Sequence, residues 1–259
     1  MTMYNALIKA ILTLTFMLMA GTALAQTGLG QPLEGMPAFT VVDNNNGSST
    51  YSLSLQILFL MTALTVLPSL ILGMTSFTRV IIVLSILRQA LGTQQTPPNQ
   101  VLIAIALFLT FFIMAPTFTI IYDQSLAPYL DGQIDPATAV STASATIKDF
   151  MVNNTRINDL TMFAEMAGDE PYATNADIPF SVILPAYITS ELKTAFQIGF
   201  LLFLPFLVID MVIASTLMSL GMMMLSPMLV SLPFKLLLFV LVDGWAMTVS
   251  SLAATYSVT

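Results

Sequence analysis

Long uncharged apolar runs and short polar breaks alternate along this chain. Residues 51–78 hold no charge in 28 positions and residues 101–122 none in 22, and a helix crossing the hydrocarbon core of a bilayer takes about 20. Pro68 and Gly73 predict a kink or break within the first run. After Arg79 and Arg88, Gly92 suits a helix C-cap and Pro97-Pro98 stop any continuation. Towards the C-terminus, residues 194–209 and 211–234 are parted only by Asp210, and residues 236–242 and 244–259 only by Asp243, with Pro205 as a further break. The pattern predicts two membrane-grade helical hairpins, residues 51–122 and 190–259. The tip of the second is Gly221-Met222-Met223-Met224-Leu225-Ser226-Pro227.

Two features of the second hairpin do not suit a plain lipid anchor. Glu191, Asp210, Lys235 and Asp243 lie in its arms, and Arg79 and Arg88 lie between the apolar runs of the first hairpin. Charges facing lipid are costly, so these side chains are expected to face protein and find partners. The tip carries no charge, whereas a loop in cytoplasmic water is usually polar and basic, so it is expected to be buried in an assembly. Met222, Met223 and Met224 are consecutive and cannot share one helix face. Flexible apolar side chains repeated around a ring would make a deformable seal.

The remaining segments read differently. Lys9, an apolar run over residues 10–20 and Gly21-Thr22-Ala23-Leu24-Ala25 have the form of a secretory signal, with cleavage expected after residue 25. Residues 26–50 then form a flexible arm outside the cytoplasm. The polar link bearing Arg79 and Arg88 has no acid and belongs on the cytoplasmic side. Residues 123–193 hold ten acidic residues against three basic, and residues 123–189 are expected to form an acidic periplasmic helical subdomain. Asp135-Pro136 is an N-cap with proline at the first helical position, opening a helix over residues 136–152. A second helix over residues 156–167 ends at Gly168. Phe150 and Phe163 give these helices an apolar face, which either packs one on the other or contacts another subunit.

Composition agrees with an all-α membrane protein: 56% of the 259 residues are hydrophobic, 8% are charged, and mean hydropathy is +0.87. Without Cys or His there is no thiolate nucleophile, disulfide or His-based acid–base chemistry. A net charge of −7 with scattered basic residues argues against nucleic acid. No phosphate-cradling glycine loop, nucleophile elbow or clustered metal ligands occur, and neither a cofactor nor a metal is expected. Ser190-Glu191-Leu192-Lys193 matches the S-x-x-K pattern of serine acyl-enzymes without its companion motifs.

The chain resembles the flagellar FliP family of type III export-gate proteins. The resemblance is carried by Ser190-Glu191-Leu192-Lys193-Thr194-Ala195-Phe196, the tip sequence, Leu232-Pro233-Phe234-Lys235, Asp243-Gly244-Trp245, Leu87-Arg88-Gln89-Ala90-Leu91-Gly92 and Thr96-Pro97-Pro98-Asn99. It implies a non-enzymatic subunit, pentameric and assembled with FliQ and FliR near the switch protein FlhB, through which unfolded flagellar proteins leave the cell. It further implies that Met222, Met223 and Met224 form the channel gasket, that Glu191 and Lys235 pair between neighbouring subunits, and that Phe150 and Phe163 contact adjacent subunits. Two other classes remain open on the residues: a proton or small-solute transporter using Asp210, Lys235 and Asp243, and an intramembrane hydrolase built on Ser190 and Lys193.

Overall fold

A computed structural model describes residues 39–44, 48–53, 55–93, 96–169, 172, 174–222 and 225–256. The expected signal segment, Met223 and Met224 lie outside the described residues. These fall into two compact units, one up to Leu72 and the other from Gly73 onward.

The first unit holds an antiparallel hairpin, β1 (Phe39–Asn44) and β2 (Ser48–Leu53), in a register that pairs Phe39 with Leu53 and Asn44 with Ser48. Part of the segment expected to be a flexible arm is therefore paired strand. Val41, Val42, Thr50 and Tyr51 supply the β-branched and aromatic character that extended pairing favours. Helix α1 (Leu55–Gly73) follows, with Pro68 inside it. Leu58, Phe59, Leu64, Leu67 and Ile71 are all exposed around it. An all-round apolar helix requires an apolar surround.

In the second unit every regular element among the described residues is helical, as the all-α reading requires. Helix α2 (Phe77–Ala90) is its axis: Val80, Val83, Leu84, Leu87 and Ala90 recur at helical spacing and are buried. Helix α3 (Asn99–Ile121) runs on through a π-helical turn (Tyr122–Leu126) into α4 (Ala127–Leu130), making 32 residues long and apolar enough to cross a membrane. Asp135 then caps α5 (Pro136–Asn154), accepting from the amides of Ala137 and Thr138. Helix α6 (Ile157–Ala167) closes on Gly168, whose φ of 77° is the left-handed conformation glycine permits. Both helices stand as the sequence predicts.

Helix α7 (Phe180–Ser219) is 40 residues long and also suited to crossing a membrane. It is unbroken, contrary to the expected break at Pro205 and Asp210. Prolines are tolerated in such helices because neighbouring groups satisfy the carbonyls they free. It also begins before residue 190: Val182, Ile183 and Tyr187, assigned from sequence to the acidic subdomain, belong to α7 and form with Met151, Ala164 and Ile178 the core on which α5 and α6 pack. A close approach brings α7 onto α2 at Gly199, where a Cβ would stand 2.4 Å from the Cδ1 of Ile86. A second core joins Val80, Val83 and Leu84 of α2, Leu102 and Ala106 of α3, and Ala195 of α7. To these it adds Leu252 of α9 (Gly244–Ala254). Between α7 and α9, α8 (Pro227–Leu241) meets α9 at a bend of 63°.

Candidate functional site

The charges of the arms resolve into two layers along α7. In the first, the guanidinium of Arg79 on α2 makes a bidentate pair with Glu191: Nε donates to Oε2 at 2.9 Å and Nη2 donates to Oε1. Arg79 is 3% exposed and Glu191 0%. The remaining donors and acceptors are also engaged. Arg79 Nη1 donates to the Thr255 hydroxyl at 3.0 Å, and the Tyr256 hydroxyl donates to Glu191 Oε2. The guanidinium carbon stands 3.9 Å from the centre of the Tyr256 ring, a cation–π contact. Phe150 stacks on the other part of this assembly, 6.1 Å from Tyr256 and 6.2 Å from Tyr187 between ring centres. Tyr187 in turn donates to the Thr75 carbonyl at 3.0 Å. A buried pair persists only when its remaining hydrogen-bonding capacity is met, and here Thr255 and Tyr256, in the segment after α9, supply the further bonds.

The second layer lies nearer the tip. Lys235 on α8, 2% exposed, donates to Asp210 Oδ2 at 2.6 Å and to the Ala90 carbonyl at the end of α2 at 3.1 Å. The Ser231 hydroxyl, one turn earlier on the same face, donates to Asp210 Oδ1 at 2.6 Å. A cation at the C-terminal end of α2 also answers that helix's dipole. Asp210 keeps 36% of its side chain exposed.

Within the chain, then, Glu191 is paired with Arg79 and Lys235 with Asp210, whereas the pairing implied by the resemblance joins Glu191 and Lys235 of neighbouring subunits. Arg88 is half-buried, donating to the Pro97 carbonyl at 3.2 Å and to Asn99 Oδ1 at 2.6 Å, so it braces the turn after α2. Asp243 does not face protein as expected: it is exposed, with φ 49° and ψ 52°. It serves as the left-handed turn residue between α8 and α9, a conformation Asp tolerates. Gly244 beside it is fixed sterically, since a Cβ would fall 2.2 Å from the Phe239 ring. Phe150 and Phe163, both half-buried, pack on the core shared by α5, α6 and α7. In the S-x-x-K match, Ser190 accepts from the Arg156 amide at 3.0 Å while Lys193 is engaged by Asp159, so the two residues serve different partners. Among the described residues no group of three Asp or Glu could hold a metal.

At the tip, α7 ends on Gly221 with φ 73°. The Met222 amide donates to the Leu217 carbonyl at 3.0 Å and the Gly221 amide to the Met218 carbonyl at 3.1 Å, the paired bonds of a Schellman cap. Pro227 opens α8 behind Ser226. Leu220, Met222, Leu225, Met228 and Leu229 are all exposed, an apolar surface with no charge in it. Sequence reasoning missed Ser231, Thr255 and Tyr256. Ser231 was detectable from its spacing of four to Lys235, whereas nothing local marks Tyr256.

Together these features define a helical membrane protein, with one short β-hairpin near its N-terminus, whose arm charges are largely engaged inside the chain and whose helical hairpin ends in an uncharged apolar tip. The chain belongs to the FliP family, whose family model matches residues 60–252. It is 69% identical over 243 residues to the flagellar biosynthetic protein FliP of Cereibacter sphaeroides, covering 93% of this chain and 80% of that protein. It is also 52% identical to its Bacillus subtilis namesake, covering 84% of this chain and 97% of that protein. For the namesake from Pectobacterium carotovorum the identity is 50%, over 85% and 86% of the two chains.

Proposed function

We propose that this chain is a core subunit of the flagellar type III export gate in the bacterial inner membrane. With further copies of itself, FliQ and FliR, it would form the channel for unfolded flagellar proteins, near FlhB. The acidic subdomain built on α5 and α6 faces the periplasm. Membership of the FliP family supports this reading, and the uncharged tip carries the finer part of it. Apolar side chains at 220, 222, 225, 228 and 229 are exposed in the single chain, as a surface completed by other subunits requires. Met222, together with Met223 and Met224, forms the seal by closing a hydrophobic constriction. The pairing of Asp210 with Lys235 supports a structural role for the arm charges over a carrier role.

Replacing Met222, Met223 and Met224 together by alanine tests the seal. The expected result is an assembled complex with raised ion conductance through the membrane. An assembled complex with wild-type conductance overturns the seal.

A further inference from the structure

Helix α8 is inside out. Its buried positions are Ser231, Lys235 and Phe239, spaced by four along one face, while Leu229, Phe234, Leu237, Val240 and Leu241 are exposed. The stripe that docks α8 onto the rest of the chain is therefore polar over most of its length. Its bonds converge on one atom: Lys235 Nζ reaches Asp210 of α7 and the final carbonyl of α2 at once. Phe239 adds the apolar end of the stripe, against Leu87, Ala90, Leu91 and Phe206. Beyond this layer the packing thins. From Asp210 to the end of α7 only Leu217 is buried, and on α8 nothing before Ser231 is buried. Nine residues of α7 thus extend about 14 Å past Asp210.

We propose that Lys235 is a positioning residue for the gate: its bridge between Asp210 and Ala90 fixes the crossing of α7 and α8 and so the helix ends that carry the tip. In this arrangement Lys235 touches neither the channel nor its cargo. It acts through the hairpin, and Ser231 supports it by holding the second oxygen of Asp210. The proposal rests on the export-gate reading only for its consequence, namely a leaking channel.

The test is amide hydrogen exchange on the full-length assembled complex, comparing peptides over residues 216–230 with peptides over residues 180–200. Lys235→Met should speed exchange in the first region several-fold and leave the second unchanged. Ser231→Ala should do the same to a smaller degree, and it keeps the proposal testable if Lys235→Met does not assemble. Asp210→Asn combined with Lys235→Met should add little to Lys235→Met alone, because both remove one shared bridge. Unchanged exchange over residues 216–230 in the variants that assemble overturns the proposal, as does an equal rise in both regions. Conductance is recorded in parallel. Faster exchange with raised conductance supports tether and gate together, whereas faster exchange with wild-type conductance supports the tether and counts against the gate.

Discussion

Helices α5 and α6 and the α7–α8 hairpin solve opposite problems. On α5 and α6 the apolar residues Met151 and Ala164 turn inward and the charges of Asp149 and Glu165 turn out, although Asp159 is buried. On α8 the serine and lysine turn inward and the leucines turn out. The difference follows from what lies outside. In water, burying apolar surface is worth roughly 25 cal/mol per Å², which gives a helix an inward direction. Where the surroundings are lipid or apolar protein, that direction disappears, and polar pairing with close packing must supply it. The inside of the hairpin is accordingly marked by its charges.

Three substitutions probe this contrast, beginning with the largest expected effect. Glu191→Ala leaves Arg79 buried without its carboxylate and should lower stability by about 3–5 kcal/mol, the range for breaking one side of a buried pair. Denaturant unfolding of the detergent-solubilised chain measures this, and a loss under 1 kcal/mol would place the pair among ordinary surface bridges. Met151→Ala, at a fully buried site in the α5–α6 core, should cost about 3 kcal/mol through lost contact and a residual cavity. A larger loss here than for Glu191→Ala would reverse the contrast. The smallest effect is at Asp135. The Thr138 hydroxyl, followed by the amides of Thr138 and Ala137, holds its carboxyl below the usual aspartate value. Stabilisation from a lowered carboxyl is complete above the ordinary aspartate value and is lost as pH falls through the lower folded value. Thermal midpoints of the wild type and Asp135→Asn should therefore differ by more at about pH 6 than at about pH 3. An identical difference at both pH values would show that the cap acts without its charge.

Legibility in the sequence follows the same divide. The Asp135-Pro136 start, the Gly168 stop and the Gly92 turn are local signals, each fixed by hydrogen bonds within a few residues, and all are found where expected. The hairpin's existence and the general rule that intramembrane charges seek partners were also readable. The partners were not. Arg79 and Glu191 are 112 positions apart, and no local spacing announces such a pair. Within the chain α2 supplies the cation for Glu191 and α7 the anion for Lys235, and neither pairing is marked by local spacing. Asp243 misled for another reason: a charge between two apolar runs resembles a buried group, yet here it makes the turn that separates them.

The position of Tyr256 also gives folding a clock. Its hydroxyl and ring complete the enclosure of Arg79 and Glu191, yet it is synthesised 65 residues after Glu191. At ordinary translation rates that interval is roughly 3–13 s. Until then Arg79 and Glu191 lack the hydroxyl and ring of Tyr256, and the bundle cannot reach its final packing. A chain cut short before Tyr256 would retain every long helix and still carry an uncovered arginine, so closure of this node records that synthesis has passed that point.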